Sequence, residues 1–169
     1  MKKLLLASAA LLLGVTAANA QSYVSILGGP TFAPGINVSG VKNEMDTGFN
    51  VGARYGYHLG DWNLPNVSVE ADGFFNRSTF KAANAGRIES SSYMANLIYH
   101  LPTNSPFEIY GGAGIGAVQT NFDNNAGNHG GSTVLGWQAL SGLDYRVSEQ
   151  ASLFAEYRYF EYTANRAYS

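Results

Sequence analysis

Phe49-Asn50-Val51-Gly52-Ala53-Arg54-Tyr55-Gly56-Tyr57-His58-Leu59 decides the fold. Phe49, Val51, Ala53, Tyr55, Tyr57 and Leu59 are apolar or aromatic, and every residue between them is polar, charged or glycine. Side chains alternate across a β-strand, so this stretch is a long strand with one greasy face and one wet face.

The same alternation returns along the chain. Val67, Val69, Ala71, Gly73 and Phe75 oppose Ser68, Glu70, Asp72, Phe74 and Asn76. Further runs cover Tyr93 to Leu101, Phe107 to Ala117, Leu135 to Val147 and Leu153 to Tyr159. A first strand with a weaker pattern runs from about Ser22 to Phe32, which makes seven in all. Long polar connections (Phe32 to Thr47, Arg77 to Ser90, Thr120 to Ser132) alternate with short ones (Gly60 to Asn66, Pro102 to Pro106, Ser148 to Ala151). All long connections therefore lie at one end of the strands. A tilted strand of about eleven residues rises roughly 25–28 Å, the height of an outer-membrane barrel's apolar band.

Two all-β architectures compete. In a soluble sandwich the greasy face points to a shared core; in a membrane barrel it points to lipid and the wet face lines the interior. Strand length and uniformity favour the barrel. So does charge: Arg54, Glu70, Asp72, Glu108, Asp144, Arg146, Glu156 and Arg158 all fall on one face, as a lumen charge network would. Aromatics gather near strand ends as two girdles. Tyr57, Tyr99, Phe107 and Tyr145 lie near the short turns, and Phe49, Phe75, Tyr93 and Tyr159 near the long connections. The expected fold is an antiparallel up-and-down transmembrane β-barrel.

The chain has 169 residues, 20 glycines, 11 tyrosines, 9 phenylalanines and no cysteine, and 13% of its residues are charged. That composition excludes a disulfide framework, a thiolate metal site and a cysteine nucleophile, and it is not that of a disordered chain. A formal charge of −2 offers no basic footprint for nucleic acid. Lys2 and Lys3, the apolar run Leu4 to Val15 and the small-residue site Ala18-Asn19-Ala20 read as a cleaved secretory leader, residues 1–20. The apolar run falls short of the ~20 residues a membrane helix needs. Residues 21–169 are then the barrel domain, exported from the cytoplasm.

With the strands laid out, the chain resembles the small outer-membrane β-barrel proteins of the opacity and porin-like superfamily of Gram-negative bacteria. The matching pieces are Val51-Gly52-Ala53-Arg54-Tyr55-Gly56-Tyr57, Val69-Glu70-Ala71-Asp72, Met94-Ala95-Asn96-Leu97-Ile98-Tyr99, Tyr110-Gly111-Gly112-Ala113-Gly114-Ile115-Gly116, Gly136-Trp137-Gln138-Ala139 and Glu156-Tyr157-Arg158-Tyr159. The resemblance implies eight strands, a narrow interior, variable external loops and a location in the outer membrane. One departure stands out. Seven strands are countable, no alternating run follows Tyr162, and the last residue is Ser169, so the C-terminal strand is expected to be missing, as in a truncated record.

Candidate chemistry is sparse. Mid-strand Arg54, Glu70, Asp72, Glu156 and Arg158 either form an ion path or plug the barrel as buried pairs; a small barrel's interior favours the plug. His58, His100 and His129 are too scattered for a metal motif, and the first two read as satisfied lumen histidines. Barrel-shaped lipid A deacylases carry a His-x-Ser pair on a late strand, and Phe160 to Asn165 has neither residue. The glycine run from Gly111 to Gly116 lacks a following helix, so it is no dinucleotide fingerprint; it leaves room for bulky lumen side chains. Asn-x-Ser triplets at Asn37, Asn66 and Asn76 are chance matches in a bacterial chain. The polar lumen at Gln138 is expected to accept an arginine more cheaply than outward Ala95, Ala113 or Ala139.

The functional expectation is a non-enzymatic barrel without cofactor or metal. Its partners are outer-membrane lipid and, through the extracellular loops, host or cell-surface ligands; nucleic acid is not among them. Adhesion, antigenic display and membrane integrity are the roles in view, with a small diffusion pore as the alternative and a soluble secreted sandwich as a third reading.

Overall fold

A computed structural model describes residues 3–19, 21–32, 36–38, 41–43, 47–79, 87–123 and 129–165. Strands β1 (Lys3–Asn19), β2 (Ser22–Phe32), β5 (Gly48–His58), β6 (Val67–Thr79), β7 (Arg87–Leu101), β8 (Phe107–Asp123), β9 (His129–Arg146) and β10 (Ala151–Asn165) close into one barrel. Each pairs antiparallel with its neighbours, in the order β1-β10-β9-β8-β7-β6-β5-β2. A two-stranded ribbon, β3 (Ile36–Val38) with β4 (Val41–Asn43), sits between β2 and β5.

The period-two pattern sets the wall. Phe49, Val51, Tyr55, Val69, Tyr93, Leu97, Ile115, Leu143 and Tyr157 are exposed on the outside. Asn50, Arg54, Ser68, Glu70, Asp72, Asn96, Gln138, Glu156 and Arg158 are buried inside. Exposed apolar residues over most of the outer face exclude the sandwich reading, because a soluble domain would hide them. All eight aromatics assigned to girdles sit on outward positions. Phe107 and Tyr145 pack tilted against each other at the short-turn end, with ring centroids 4.8 Å apart. Trp137 joins Tyr159 toward the other end, at 5.5 Å.

Seven of the strands are those expected from residues 21–169. The eighth place, expected to be empty, is filled by β1, from the segment read as a leader. Its own alternation allows this: Leu11, Leu13 and Val15 face out, whereas Ala10 and Leu12 are buried inside. An apolar run of small and aliphatic residues satisfies a leader's requirements and a lipid-facing strand's equally well.

The ladders also continue beyond the apolar band. Register runs to Thr79↔Arg87 and Asp123↔His129, so much of the expected long connections is strand. Backbone pairing needs no apolar side chain, which is why the alternation ends before the strands do. At the other end the β5–β6 connection is a short 3-10 turn, Gly60–Trp62. Asn63 there adopts a left-handed conformation (φ 61°), one that asparagine tolerates. Leu59, counted in the strand pattern, lies in this turn and is buried.

Four lumen aromatics each face a glycine directly across a strand pair: Tyr23 with Gly56, Phe74 with Gly52, Tyr110 with Gly142 and Phe154 with Gly14. The ring lies where the neighbour's side chain would be. A Cβ on Gly142 would come within 2.4 Å of Tyr110 Cζ. Gly114 is the same device inside the glycine run, since its Cβ would meet Asn96 Oδ1 at 1.9 Å.

Candidate functional site

The interior holds one continuous polar network. Arg54 Nη2 donates to Glu156 Oε2 at 2.6 Å, and Arg54 Nε lies 3.2 Å from Glu70 Oε2. Arg158 donates through Nε and Nη2 to Glu156 Oε1, at 3.1 and 2.8 Å. Its Nη1 donates to Asp72 Oδ2 and Gln138 Oε1, both at 3.0 Å. Glu156 is thus gripped by both arginines. The two guanidiniums also lie against rings, Arg158 over Phe74 at 4.1 Å and Arg54 over Phe154 at 5.5 Å.

Three carboxylates face two guanidiniums here, and neutral donors support the excess negative charge. Tyr23 Oη donates to Glu70 Oε1 at 2.6 Å, and Tyr110 Oη to Glu156 Oε2 at 3.0 Å. Asn96 Nδ2 and Gln138 Nε2 donate to Asp72 Oδ2 at 2.8 and 3.2 Å, and Gln138 Nε2 also reaches Asn96 Oδ1 at 2.5 Å. Among the described residues, every barrel strand except β1 supplies a member.

Of the residues assigned to the lumen charge network, the structure brings together Arg54, Glu70, Asp72, Glu156 and Arg158. Glu108 and Asp144 belong to a separate layer at the short-turn mouth, and Arg146 is exposed at that strand's end. In this layer His58 Nδ1 lies 2.7 Å from Ser68 Oγ, which lies 2.9 Å from His100 Nε2; His100 Nδ1 lies 2.5 Å from Glu108 Oε1. Ser152 Oγ donates to Asp144 Oδ2 at 2.7 Å. Among the described residues no three metal-ligating side chains converge on one position. The side chain of His129 lies outside the described residues.

Tyr23, Asn96, Tyr110 and Gln138 were not singled out as network members. Their inward positions in the alternation were the available signal. Gln138 is 1% exposed and held on both amide atoms, so the expectation that it accepts arginine cheaply needs correction. The lumen is polar there, but already full.

The network divides the interior. A cavity of about 210 Å³ opens on the short-turn side, lined by residues including Arg54, His58, Glu108 and Asp144. On the other side, among the described residues, a void of about 10 Å³ lies between Asn50, Asn76, Gln138, Arg158 and Phe160, which is room for about one water molecule.

Residues 5–168 match the outer membrane protein beta-barrel domain family, and the chain belongs to it. It is an outer-membrane β-barrel protein of the small eight-stranded type. Among solved structures it is similar to Neisserial surface protein A (NspA). The two share 15% identity over 96% of this chain and 99% of that one, with a TM-score of 0.51. It is also similar to the outer membrane protein OprG from Pseudomonas aeruginosa, at 14% identity over 95% and 96% of the two chains and a TM-score of 0.49. The likeness to NspA shows a shared fold. A search of curated protein sequences gives no match.

Proposed function

We propose that this protein is a sealed barrel that works at the cell surface. It anchors the long connections on the outer face, where they meet host or cell-surface ligands and contribute to membrane integrity. The observation that carries this reading is the network of Arg54, Glu70, Asp72, Glu156 and Arg158. It crosses the interior at mid-height, and the void beside Arg158 and Gln138 on its far side measures about 10 Å³. A pore needs a continuous water column, and paired, buried charges fill that column instead. The charges are structural in this reading, and no catalytic step is assigned to them.

Planar-bilayer recording of the refolded protein is the test. The sealed barrel gives no steady conductance steps, and Glu156→Ala, which frees both arginines, introduces them. Steady steps from the unaltered protein would instead establish the diffusion pore.

A further inference from the structure

Strand β1 closes the barrel, yet its described side chains, Ala10 to Ala18, add nothing to the charge network. Inside, it offers Ala10 and Leu12 to an apolar cluster with Leu27, Phe74 and Phe154. Among the described residues, a side-chain hydrogen bond joins it to β2, Thr16 to Ser25 at 2.9 Å. Its ladder with β10 runs unbroken from Lys3↔Asn165 to Ala17↔Ala151. Its ladder with β2 is interrupted where Leu11 and Leu12 pass Gly29 and Pro30. Proline lacks the amide donor and is a residue of sheet edges. The charge network among the described residues is thus drawn from residues 21–165, whose sheet carries an edge-type strand at β2.

Direction restricts what can fill the seam. Both β2 and β10 are antiparallel to β1, so the two edges run the same way. They cannot pair antiparallel with each other. A second copy related by a two-fold axis along the membrane normal would present only edges of that same direction. One strand running from the long-loop end to the short-turn end restores the antiparallel pattern. Shape restricts it further. Opposite Phe154 the occupant is Gly14, where a Cβ would lie 2.4 Å from Phe154 Cζ and 2.5 Å from the Ile26 carbonyl oxygen.

We propose that the seam between β2 and β10 is a strand-acceptor site of which segment 3–19 is one occupant. Its ligand class is an alternating peptide strand with apolar outward residues and glycine opposite Phe154. A chain cut between Ala20 and Gln21 presents this site to such a strand. Main-chain hydrogen bonds supply affinity and the Phe154 notch supplies selectivity, the general logic of strand addition. This does not rest on the surface-interaction reading.

The test starts from the full chain with a specific protease site inserted between Ala20 and Gln21. The chain is folded in mild detergent, cut, unfolded in urea and refolded with a large excess of fluorescent peptide 3–19. The expected result is a compact, heat-modifiable monomer band carrying the label. A Gly14→Leu peptide should enter at least tenfold less. The protein has no native cysteine, so orientation is read by disulfide formation: peptide Ala17→Cys should link to Ala151→Cys, and peptide Leu4→Cys should not. A compact band without label, uptake indifferent to Gly14→Leu, or a Leu4→Cys link overturns the proposal. So does an uncut chain that yields no compact band.

Discussion

Asp72 on β6 and Arg158 on β10 meet at 3.0 Å across the barrel interior, 86 residues apart in the chain. Their contact joins two far-separated strands through the lumen rather than around the wall. Glu156 reaches both arginines, so its loss leaves two buried cations short of a partner. Removing one member of a buried pair costs about 3–5 kcal/mol. Glu156→Ala is expected in that range by urea titration in lipid vesicles. Asp144→Ala, in the half-open mouth, should cost under about 1 kcal/mol.

Arginine on the outer wall should be costly and position-dependent. At Ala95, Ala113 or Ala139 it enters the lipid face near mid-height, at about 2–4 kcal/mol. Gln138→Arg should cost at least as much, because the new cation would crowd Arg158 and break three amide hydrogen bonds. A markedly smaller loss at Gln138 in the same titration would mean the network is looser than its distances indicate.

The aromatic–glycine pairs give a steric contrast. Gly142→Ala forces Tyr110 aside, and Tyr110 Oη then leaves Glu156. Overpacking of this kind costs about 1–3 kcal/mol. Gly73→Ala points outward, where the nearest atom is Tyr93 Cδ1 at 3.7 Å, and should be neutral within about 0.5 kcal/mol. Thermal unfolding in detergent, read by the heat-modifiable gel shift, compares the two.

Surface proteolysis tests orientation. The long connections face outward if the N-terminus of β2 lies in the periplasm, so protease added to intact cells should cut there. Lys42, Arg77, Lys81 and Arg87 are the basic residues concerned. Arg77 and Arg87 lie in the β6–β7 ladder, and Arg77 Nε is 3.9 Å from Glu89 Oε1. Cutting should therefore favour Lys81, which lies outside the described residues, over either arginine. Cutting confined to the turns at 60–66, 102–106 or 148–151 would reverse the orientation.

Much of this architecture is legible from alternation, because a wall between lipid and a polar lumen imposes one residue class per face. It fades where both faces are apolar. Strand β2 puts Val24 and Ile26 outside but Tyr23 and Leu27 inside, so its period is blurred. Strand β1 is hidden for a related reason, since a leader's core and a lipid-facing strand draw on the same residues. Charged network members stand out in the sequence. Their neutral partners do not, because Tyr110 and Gln138 take their role only from cross-lumen distance.

The lumen network also constrains how the chain reaches the membrane. Arg54 and Glu156 are 102 residues apart, so the Arg54 guanidinium does not find this carboxylate until β10 arrives. A half-built sheet entering hydrocarbon would carry Arg54 in with only Glu70 beside it, and Asp72 without Arg158. The cost of such unpaired charges in lipid is steep. Stepwise insertion, strand by strand, is therefore the expensive route. Insertion is expected to be concerted: the wall curls, the charges meet while still in water, and the barrel crosses the interface already locked.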